Sequence, residues 1–402
     1  MEDHTQVEEE FQLARRASRA ETSFIREILK LTARNDIISF AGGMPNPKLF
    51  PVDAIREATD KVLREDGANV LQYTITEGYM PLKEFISQRY KEKKGLEISP
   101  DKILIINGSM QAIDLIGKLL LNPGDNVILE NPTFIGALQS FNILEANFVG
   151  VNLEEDGLDI SHLEAQVASH KSNLSYLIPN FHNPTGITYS EEKRQNIAEI
   201  FKSNMIMVIE DDPYGEINFS GARNTSFIEY YPEGTFLMGS FSKIISPGMR
   251  LGWVTAPNRK LMEKLIVMKQ AADTHASHLS QRIIHQFLCD TDLNQHIDII
   301  KKVYKAQLDA MVDAIEKHFP KQVKTYIPEG GMFIWGILPE KYSASALFDL
   351  SIKEKVAFVP ALSFYAHQNV DNTFRLNYSN ADEDEIKTGI EKLGRCLREY
   401  LS

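Results

Sequence analysis

The sequence predicts an α/β protein, with a large, mostly parallel sheet between helices and a smaller α+β unit after it. Three observations carry that expectation. Five short apolar runs, at 103–106, 127–129, 176–178, 205–209 and 236–238, lack polar alternation, the pattern of strands buried on both faces. Most are followed by loop formers and then by a stretch with helical period, the order of a βαβ unit. The length of 402 residues, at about 150 residues per domain, points to two domains or three, each large enough to bury a core.

Taken in order, residues 1 to about 35 read as an acidic start followed by a helix, with Phe24, Ile25, Ile28 and Leu31 near a 3.6 period. The Gly- and Pro-rich segment IISFAGGMPNPKLFP at 37–51 is expected to be a structured loop. Helical patterns and the apolar runs then alternate from about residue 55. A charge-rich helical region over 257–318 separates this block from a C-terminal segment with three strand candidates, GGMFIWGIL, VAFVPA and TFRLNYS. The boundary is expected inside that helical region, near 295.

Composition narrows the function. Lys plus Arg number 43 against 55 Asp plus Glu, a formal charge of −12, which argues against nucleic-acid binding because phosphate neutralisation needs clustered cations. The two cysteines, Cys289 and Cys396, cannot build a disulfide framework and fit a reducing compartment. The start MEDHTQVEEE lacks the apolar core of a secretory signal, and no apolar run approaches 18 residues. A cytoplasmic protein with no membrane contact is expected. No G-x-G-x-x-G or Walker A string occurs, which disfavours a nicotinamide dehydrogenase.

In open α/β sheets ligands sit beyond the carboxyl ends of the strands, so the residues after each run are the candidates. After ILII come Asn107-Gly108-Ser109-Met110-Gln111, a small-residue loop opening a helix, which reads either as a phosphate cradle or as an ordinary Ser cap. After VIL come Glu130-Asn131-Pro132-Thr133-Phe134, and after YLI come Pro179 to Gly186 with Asn183-Pro184. Both Asn-Pro pairs favour turns, and each segment reads equally as a plain turn. His182 is taken as a turn or packing residue, because no second ligand lies at metal spacing. After MIMVI come Glu210-Asp211-Asp212-Pro213-Tyr214, whose carboxylates at a buried strand end need a cationic partner unless they merely start a helix. After FLM comes Gly239 to Trp253, in which Lys243 lies among small hydroxyl and apolar residues, with Arg250 seven residues on. Desolvation and a neighbouring cation lower an ammonium pKa and make such a lysine a nucleophile.

The string SFSKIISPGMRLGW, with NPTG upstream, DDPY between them, and GGMPNPKLFP, LQY and FRLNY elsewhere, resembles the fold-type I pyridoxal-phosphate aminotransferases. Within these it is similar to the branch of 2-aminoadipate and kynurenine aminotransferases. The resemblance runs from about residue 20 to the C-terminus with the motifs in the family's order. It implies a large domain with a mostly parallel seven-stranded sheet at 56–295, an N-terminal segment, 1–55, joining the small domain, and a small C-terminal domain at 296–402.

Residue by residue, the resemblance assigns Lys243 as the Schiff-base lysine and Cα base, Asp211 as the partner of the pyridinium nitrogen, and Tyr214 with Asn183 as the pair on the phenolic oxygen. Phosphate contacts fall to Ser109, the Met110 backbone, Ser240, Ser242, Arg250 and Tyr73 of a second subunit in a homodimer. Phe134 takes the ring-stacking position, where many relatives have Tyr. Arg375 matches the arginine that grips the substrate α-carboxylate. Gly43 matches a loop that approaches the substrate, and Arg26 lies on an N-terminal helix and meets a distal acidic group. No metal is implied. The expected reaction is transamination between an L-amino acid, whether 2-aminoadipate-like, aromatic or branched-chain, and a 2-oxo acid such as 2-oxoglutarate. The alternatives are a lyase or decarboxylase on the same scaffold, and a non-catalytic effector-binding module of a DNA-binding regulator. The short acidic stretch before Gly42 disfavours the last of these.

Overall fold

The computed structural model describes residues 13–19, 36–367 and 369–402. In chain order the strands are β1 (Ile38–Ser39), β2 (Ile103–Ile106), β3 (Asn126–Asn131), β4 (Asn147–Glu154), β5 (Gly157–Leu158), β6 (Ser172–Leu177), β7 (Met207–Asp211), β8 (Thr235–Ser240), β9 (Gly252–Thr255), β10 (Lys324–Tyr326), β11 (Phe333–Ile337), β12 (Val356–Ala357), β13 (Val359–Pro360) and β14 (Thr373–Asn377). The helices are α1 (Val52–Val70), α2 (Met80–Lys94), α3 (Ser109–Leu120), α4 (Ile135–Ile143), α5 (Ile160–Ser169), α6 (Glu191–Ser203), α7 (Arg259–Asp273), α8 (His278–Asp290), α9 (Leu293–His318), α10 (Ala344–Lys353) and α11 (Glu383–Leu401).

The large sheet has the order β2-β9-β8-β7-β6-β3-β4-β5. Its strands β8, β7, β6, β3 and β4 are mutually parallel, β9 runs against both neighbours, and the two-residue β5 pairs antiparallel with β4 at the edge. Seven strands plus this short edge arm make up the sheet. Every residue of β2 and β8 is buried, as runs without polar alternation require when helices cover both faces. Side-chain caps start many of the helices: Asp159, Ser190, Asn258, Ser277 and Asp292 each accept from a first-turn N–H.

Two elements depart from the apolar-run reading. Strand β4 alternates between exposed and buried residues because it lies near the sheet edge, so its sequence carries no continuous apolar run. The helical region 257–318 is three helices, interrupted at Thr274 and at the Thr291-Asp292 cap.

A second sheet, antiparallel, has the order β10-β11-β14-β13. Helix α11 packs along α9 beside it. The segment before α1 joins this part of the molecule: Ile38 and Ser39 pair in parallel with Val356 and Ala357, and Asn377 N–H donates to Phe40 O. VAFVPA forms the two short strands β12 and β13. The expected helix carrying Phe24, Ile25, Arg26, Ile28 and Leu31 lies outside the described residues.

Beneath the strand ends, Arg194 of α6 is 1% exposed and fixes the loops around them. Its guanidinium donates to the carbonyls of Tyr189, Thr225 and Pro179 and to Asn180 Oδ1, at 2.6–3.1 Å. Arg194→Leu leaves these acceptors unpaired in the interior and is expected to cost about 3 kcal/mol or more in urea unfolding. A loss under about 0.5 kcal/mol, the range of an ordinary surface substitution, would show that the four bonds carry no stability.

Candidate active site

Strands β2, β3, β6, β7 and β8 point their carboxyl ends to one edge of the sheet, because parallel strands joined by helices must all run the same way. A cavity of about 290 Å³ opens there. It is lined by Gly43, Ser109, Met110, Phe134, Asn183, Asp211, Tyr214, Ser240, Ser242, Lys243, Arg250 and Arg375, together with Gly108, Ile178 and Phe364. Tyr73 does not line it: its ring is 82% exposed and stands edge-on to His275. Arg26 lies outside the described residues.

Asp211 is the last residue of β7 and 3% exposed. Tyr176 Oη donates to its Oδ2 at 2.7 Å, while its Oδ1 has no partner among the described residues. Burial raises the carboxyl pKa from the ordinary 3.8 to about 7; the Tyr176 bond and the nearby Lys243 oppose the shift, and Asp212 and Glu130 add to it. Its two neighbours point elsewhere, since strand side chains alternate. Glu210 accepts from Ser226 Oγ (2.5 Å) and Phe227 N–H (2.9 Å). Asp212 pairs with Lys94 and accepts from Asn180 Nδ2; burial works against its charge, yet Lys94 holds the carboxyl below the usual range. Glu210 Oε1 also lacks a partner among the described residues, but of the three adjacent carboxylates only Asp211 lines the cavity.

Lys243 follows β8, and its Nζ donates to Gly43 O at 2.9 Å. Burial lowers its pKa from 10.5 to about 8; the guanidinium groups of Arg375 and Arg250 push the same way and Asp211 opposes them. An amine with that pKa is unprotonated far more often near neutrality than a solvated lysine, so it is competent to attack a carbonyl.

At the far wall, helix α3 starts at Ser109 with Gly108 as its N-cap and no side-chain cap, which leaves first-turn N–H groups facing the cavity as an anion site. Gly108 has φ +88, and a Cβ there would meet Arg250 Nη2 at 2.8 Å. Only glycine permits both that backbone and that approach. Arg250 donates through Nη2 to Asn107 O (3.1 Å), and Ser240 Oγ accepts from Ser242 N–H (3.1 Å). The Phe134 ring lies against Gly136, where a Cβ would sit 2.5 Å from it.

Arg375, on β14 and 3% exposed, donates through Nη1 to Asn183 Oδ1 and through Nη2 to Ala41 O, each at 2.7 Å. Its guanidinium stacks over Phe333 (4.3 Å) and Phe364 (5.1 Å), and Nε has no partner among the described residues. Burial lowers its pKa to about 10, so it stays a cation at neutral pH. Asn183 Nδ2 in turn donates to Tyr214 Oη at 3.4 Å, and burial raises the Tyr214 phenol well above 10. Both Asn131-Pro132 and Asn183-Pro184 are cis. Behind Asn183, His182 Nε2 lies 3.1 Å from Glu130 Oε2 and its Nδ1 2.8 Å from Thr185 Oγ1, all three side chains buried. His182 is thus a partnered interior residue, and among the described residues no cluster of His, Cys, Asp or Glu is arranged to hold a metal ion.

Tyr176, Phe333, Phe364, Gly136 and the Ala41 carbonyl escaped the sequence reading. Tyr176 alone left a signal, since a tyrosine in a buried strand needs a partner for its hydroxyl. Together these groups suit a ligand with a carbonyl for Lys243, a protonated ring nitrogen for Asp211, a phosphate for Arg250 and the α3 start, and a second anionic group at Arg375.

The folded Asp211 pKa lies above its unfolded value, so the ligand-free fold binds more protons than the unfolded chain between about pH 4 and 7, and stability falls as pH rises through that window. Asp211→Asn is therefore expected to stabilise the ligand-free protein by on the order of 2 kcal/mol at pH 8, with little change at pH 4. Urea unfolding at both values checks this, and equal effects at the two would contradict it.

The sequence model described as "Aminotransferase class I and II" matches residues 36–393. The 2-aminoadipate transaminase of Thermus thermophilus is 39% identical over 391 residues, covering 96% of each chain. Aromatic-amino-acid aminotransferase 1 of Thermococcus litoralis is 38% identical over 385 residues, covering 94% of this chain and 92% of that one. Among solved structures, the alpha-aminoadipate aminotransferase of Thermus thermophilus, complexed with N-(5′-phosphopyridoxyl)-L-leucine, superposes with a TM-score of 0.90 at 38% identity over 97% of this chain and 98% of that one. With the match spanning both sheets and every residue of the cavity wall, the chain belongs to the class I and II aminotransferases.

Proposed function

We propose that this protein is a pyridoxal 5′-phosphate-dependent transaminase that moves the amino group of an L-amino acid to a 2-oxo acid such as 2-oxoglutarate in a ping-pong cycle. The donors are 2-aminoadipate-like, aromatic or branched-chain. One observation carries the reading: a lysine with a lowered pKa and a buried carboxylate with a free oxygen line the same cavity. When bound, the cofactor supplies an aldehyde and an electron-withdrawing ring.

Lys243 would hold the cofactor through that aldehyde, and its amine is the base placed to take and return the proton at substrate Cα. Asp211, through its unpartnered Oδ1, would hold the ring nitrogen, so that the charge burial disfavours in the ligand-free protein would be met by a cation. Tyr214 and Asn183 would hold the phenolic oxygen, and Phe134 would pack against the ring. Ser109, the Met110 N–H, Ser240, Ser242 and Arg250 hold the phosphate. Arg375 takes the substrate α-carboxylate, steered by Asn183 and the Ala41 carbonyl so that its fork stays aimed at the ligand. Gly43 lets the 41–44 loop lie close to the substrate, since a Cβ there would stand 3.3 Å from the Phe333 ring.

Tyr73 completes the phosphate site of a partner subunit in a homodimer. Its removal from its own cavity and the exposure of the flanking Leu71 (68%) and Ile75 (57%) support that placement. Arg26 meets the distal acidic group of 2-aminoadipate-like donors; among the described residues, Lys243, Arg250 and Arg375 are the cations lining the cavity, and each has another task. The chain divides at 1–55, 56–295 and 296–402, and the pairing of β1 with β12 supports joining the first of these segments to the last. Two free cysteines agree with a cytoplasmic setting, and among the described residues no helix is long and apolar enough to cross a membrane.

Lys243→Ala should keep the fold but lose the visible band of the bound cofactor and its borohydride-fixed adduct; an adduct mapping to another lysine in the wild type would overturn the assignment. Arg26→Gln should lower kcat/KM for 2-aminoadipate by about tenfold or more, the scale of one lost charged contact, and leave aromatic donors within about threefold. Equal losses for both donors would remove Arg26 from the distal subsite.

A further inference from the structure

The end of α7 touches two loops that the proposed dimer places in different sites. Asp273, its last residue, accepts at Oδ2 from Asn107 Nδ2 and Gln111 Nε2, each at 2.6 Å, and pairs with Lys269 Nζ at 2.9 Å. Lys269 is fully buried and also donates to Gln111 Oε1 (3.0 Å), which accepts from Asn107 N–H (2.9 Å). Because Arg250 donates to the Asn107 carbonyl, Asn107 stands between Asp273 and the phosphate arginine. Gly108 and Ser109 come directly after it.

The residue after Asp273 has an unusual backbone. Thr274 has φ +65 and ψ −58, and His275 N–H closes the turn onto Asp273 O at 2.7 Å. This is a γ-turn of the rare hand, with a β-branched residue at its centre, strained by about 1–3 kcal/mol. Its effect is to aim His275 at the loop between α1 and α2. His275 Nε2 accepts from Thr74 N–H (3.4 Å), which places the ring proton on Nδ1, where it reaches Ala276 O (2.8 Å). The ring stands edge-on to Tyr73, with centroids 5.8 Å apart. Gln281, also fully buried, holds the far end of the same loop, accepting from Tyr79 N–H (2.7 Å) and donating to Ala276 O (3.0 Å).

We propose that Asp273 and His275 are positioning residues that lock the Ser109 loop and the Tyr73 loop to each other, so that a subunit's own phosphate cradle and the tyrosine it lends its partner are set by one carboxylate and one strained turn. The inference rests on the transaminase and dimer reading above. A carboxylate holding three donors, one of them a buried ammonium, has no freedom to move without leaving one unpaired. The strain at Thr274 persists because bonds on both sides fix the turn.

The test compares binding of pyridoxal 5′-phosphate with that of pyridoxal, which lacks the phosphate, by titrating the full-length protein after cofactor removal. Asp273→Asn and His275→Leu are each expected to weaken pyridoxal 5′-phosphate about tenfold, and pyridoxal under about threefold, with circular dichroism unchanged. Tyr73→Phe is expected to show the same selective loss, and its combination with His275→Leu to add nothing further, because His275 acts through the Tyr73 loop. Equal weakening of both ligands by either single variant, or a fully additive double variant, overturns the inference while leaving the dimer reading intact. If Tyr73→Phe alone leaves the phosphate preference unchanged, the assignment of Tyr73 to the partner's phosphate site falls and this inference with it.

Discussion

Asp211 sits at the end of a central strand, where water is excluded and neighbouring segments cover both faces. Its hydroxyl partner, Tyr176, satisfies one carboxylate oxygen and leaves the other open. A buried carboxylate in that condition is unfavourable as an anion, and its raised pKa records the penalty. The same desolvation acts in the opposite sense on Lys243, whose ammonium is disfavoured. The cavity therefore holds two groups whose ionisations are displaced toward each other and near neutrality, a condition met on binding a group that is both electrophilic and cationic. The other polar contacts of the site serve to keep these two atoms where they are.

Arg375 shows how many separate pieces converge on that arrangement. It arises from the antiparallel sheet, bonds a turn after β6 through Asn183, and bonds the N-terminal segment through Ala41 O. Phe333 and Phe364 flank its plane. Displacement of any one piece tilts the guanidinium, so its orientation in the cavity depends on the packing of segments far apart in the chain. Asn377 N–H to Phe40 O and the β1–β12 pairing fix the N-terminal segment to the same sheet. The contacts of Asp273 extend this logic to the other end of the cavity, where one side chain meets the loop at the anion site and the next residues meet the Tyr73 loop.

Much of this arrangement was legible in the sequence because it is local. Continuous apolar runs such as ILII and FLM encode burial on both faces, and each became a strand of the large sheet. The residues after those runs became the cavity wall, since chain direction in a parallel sheet puts every such loop at one edge. Strand β4 stayed hidden because only Val149 and Val151 of its residues are buried, and the breaks in the 257–318 region stayed hidden because no Gly or Pro marks them after Pro257.

The sequence by itself determined the five strands formed by continuous apolar runs, the helix start at Ser109, the positions of Lys243 and Arg250, and the membership of a family whose motifs occur in order. Tertiary structure alone decided which of three adjacent carboxylates lines the cavity and what each one binds, because Lys94, Ser226 and Tyr176 lie 118, 16 and 35 positions from the acid each one meets. It also decided that Tyr73 points away from its own cavity and that Arg375 is held by Asn183 and Ala41, 192 and 334 positions distant. Turn chemistry and hydrophobic period act between near neighbours and can be read along the chain. The partner of a buried polar group is chosen by packing between segments far apart in sequence, and no local pattern records it.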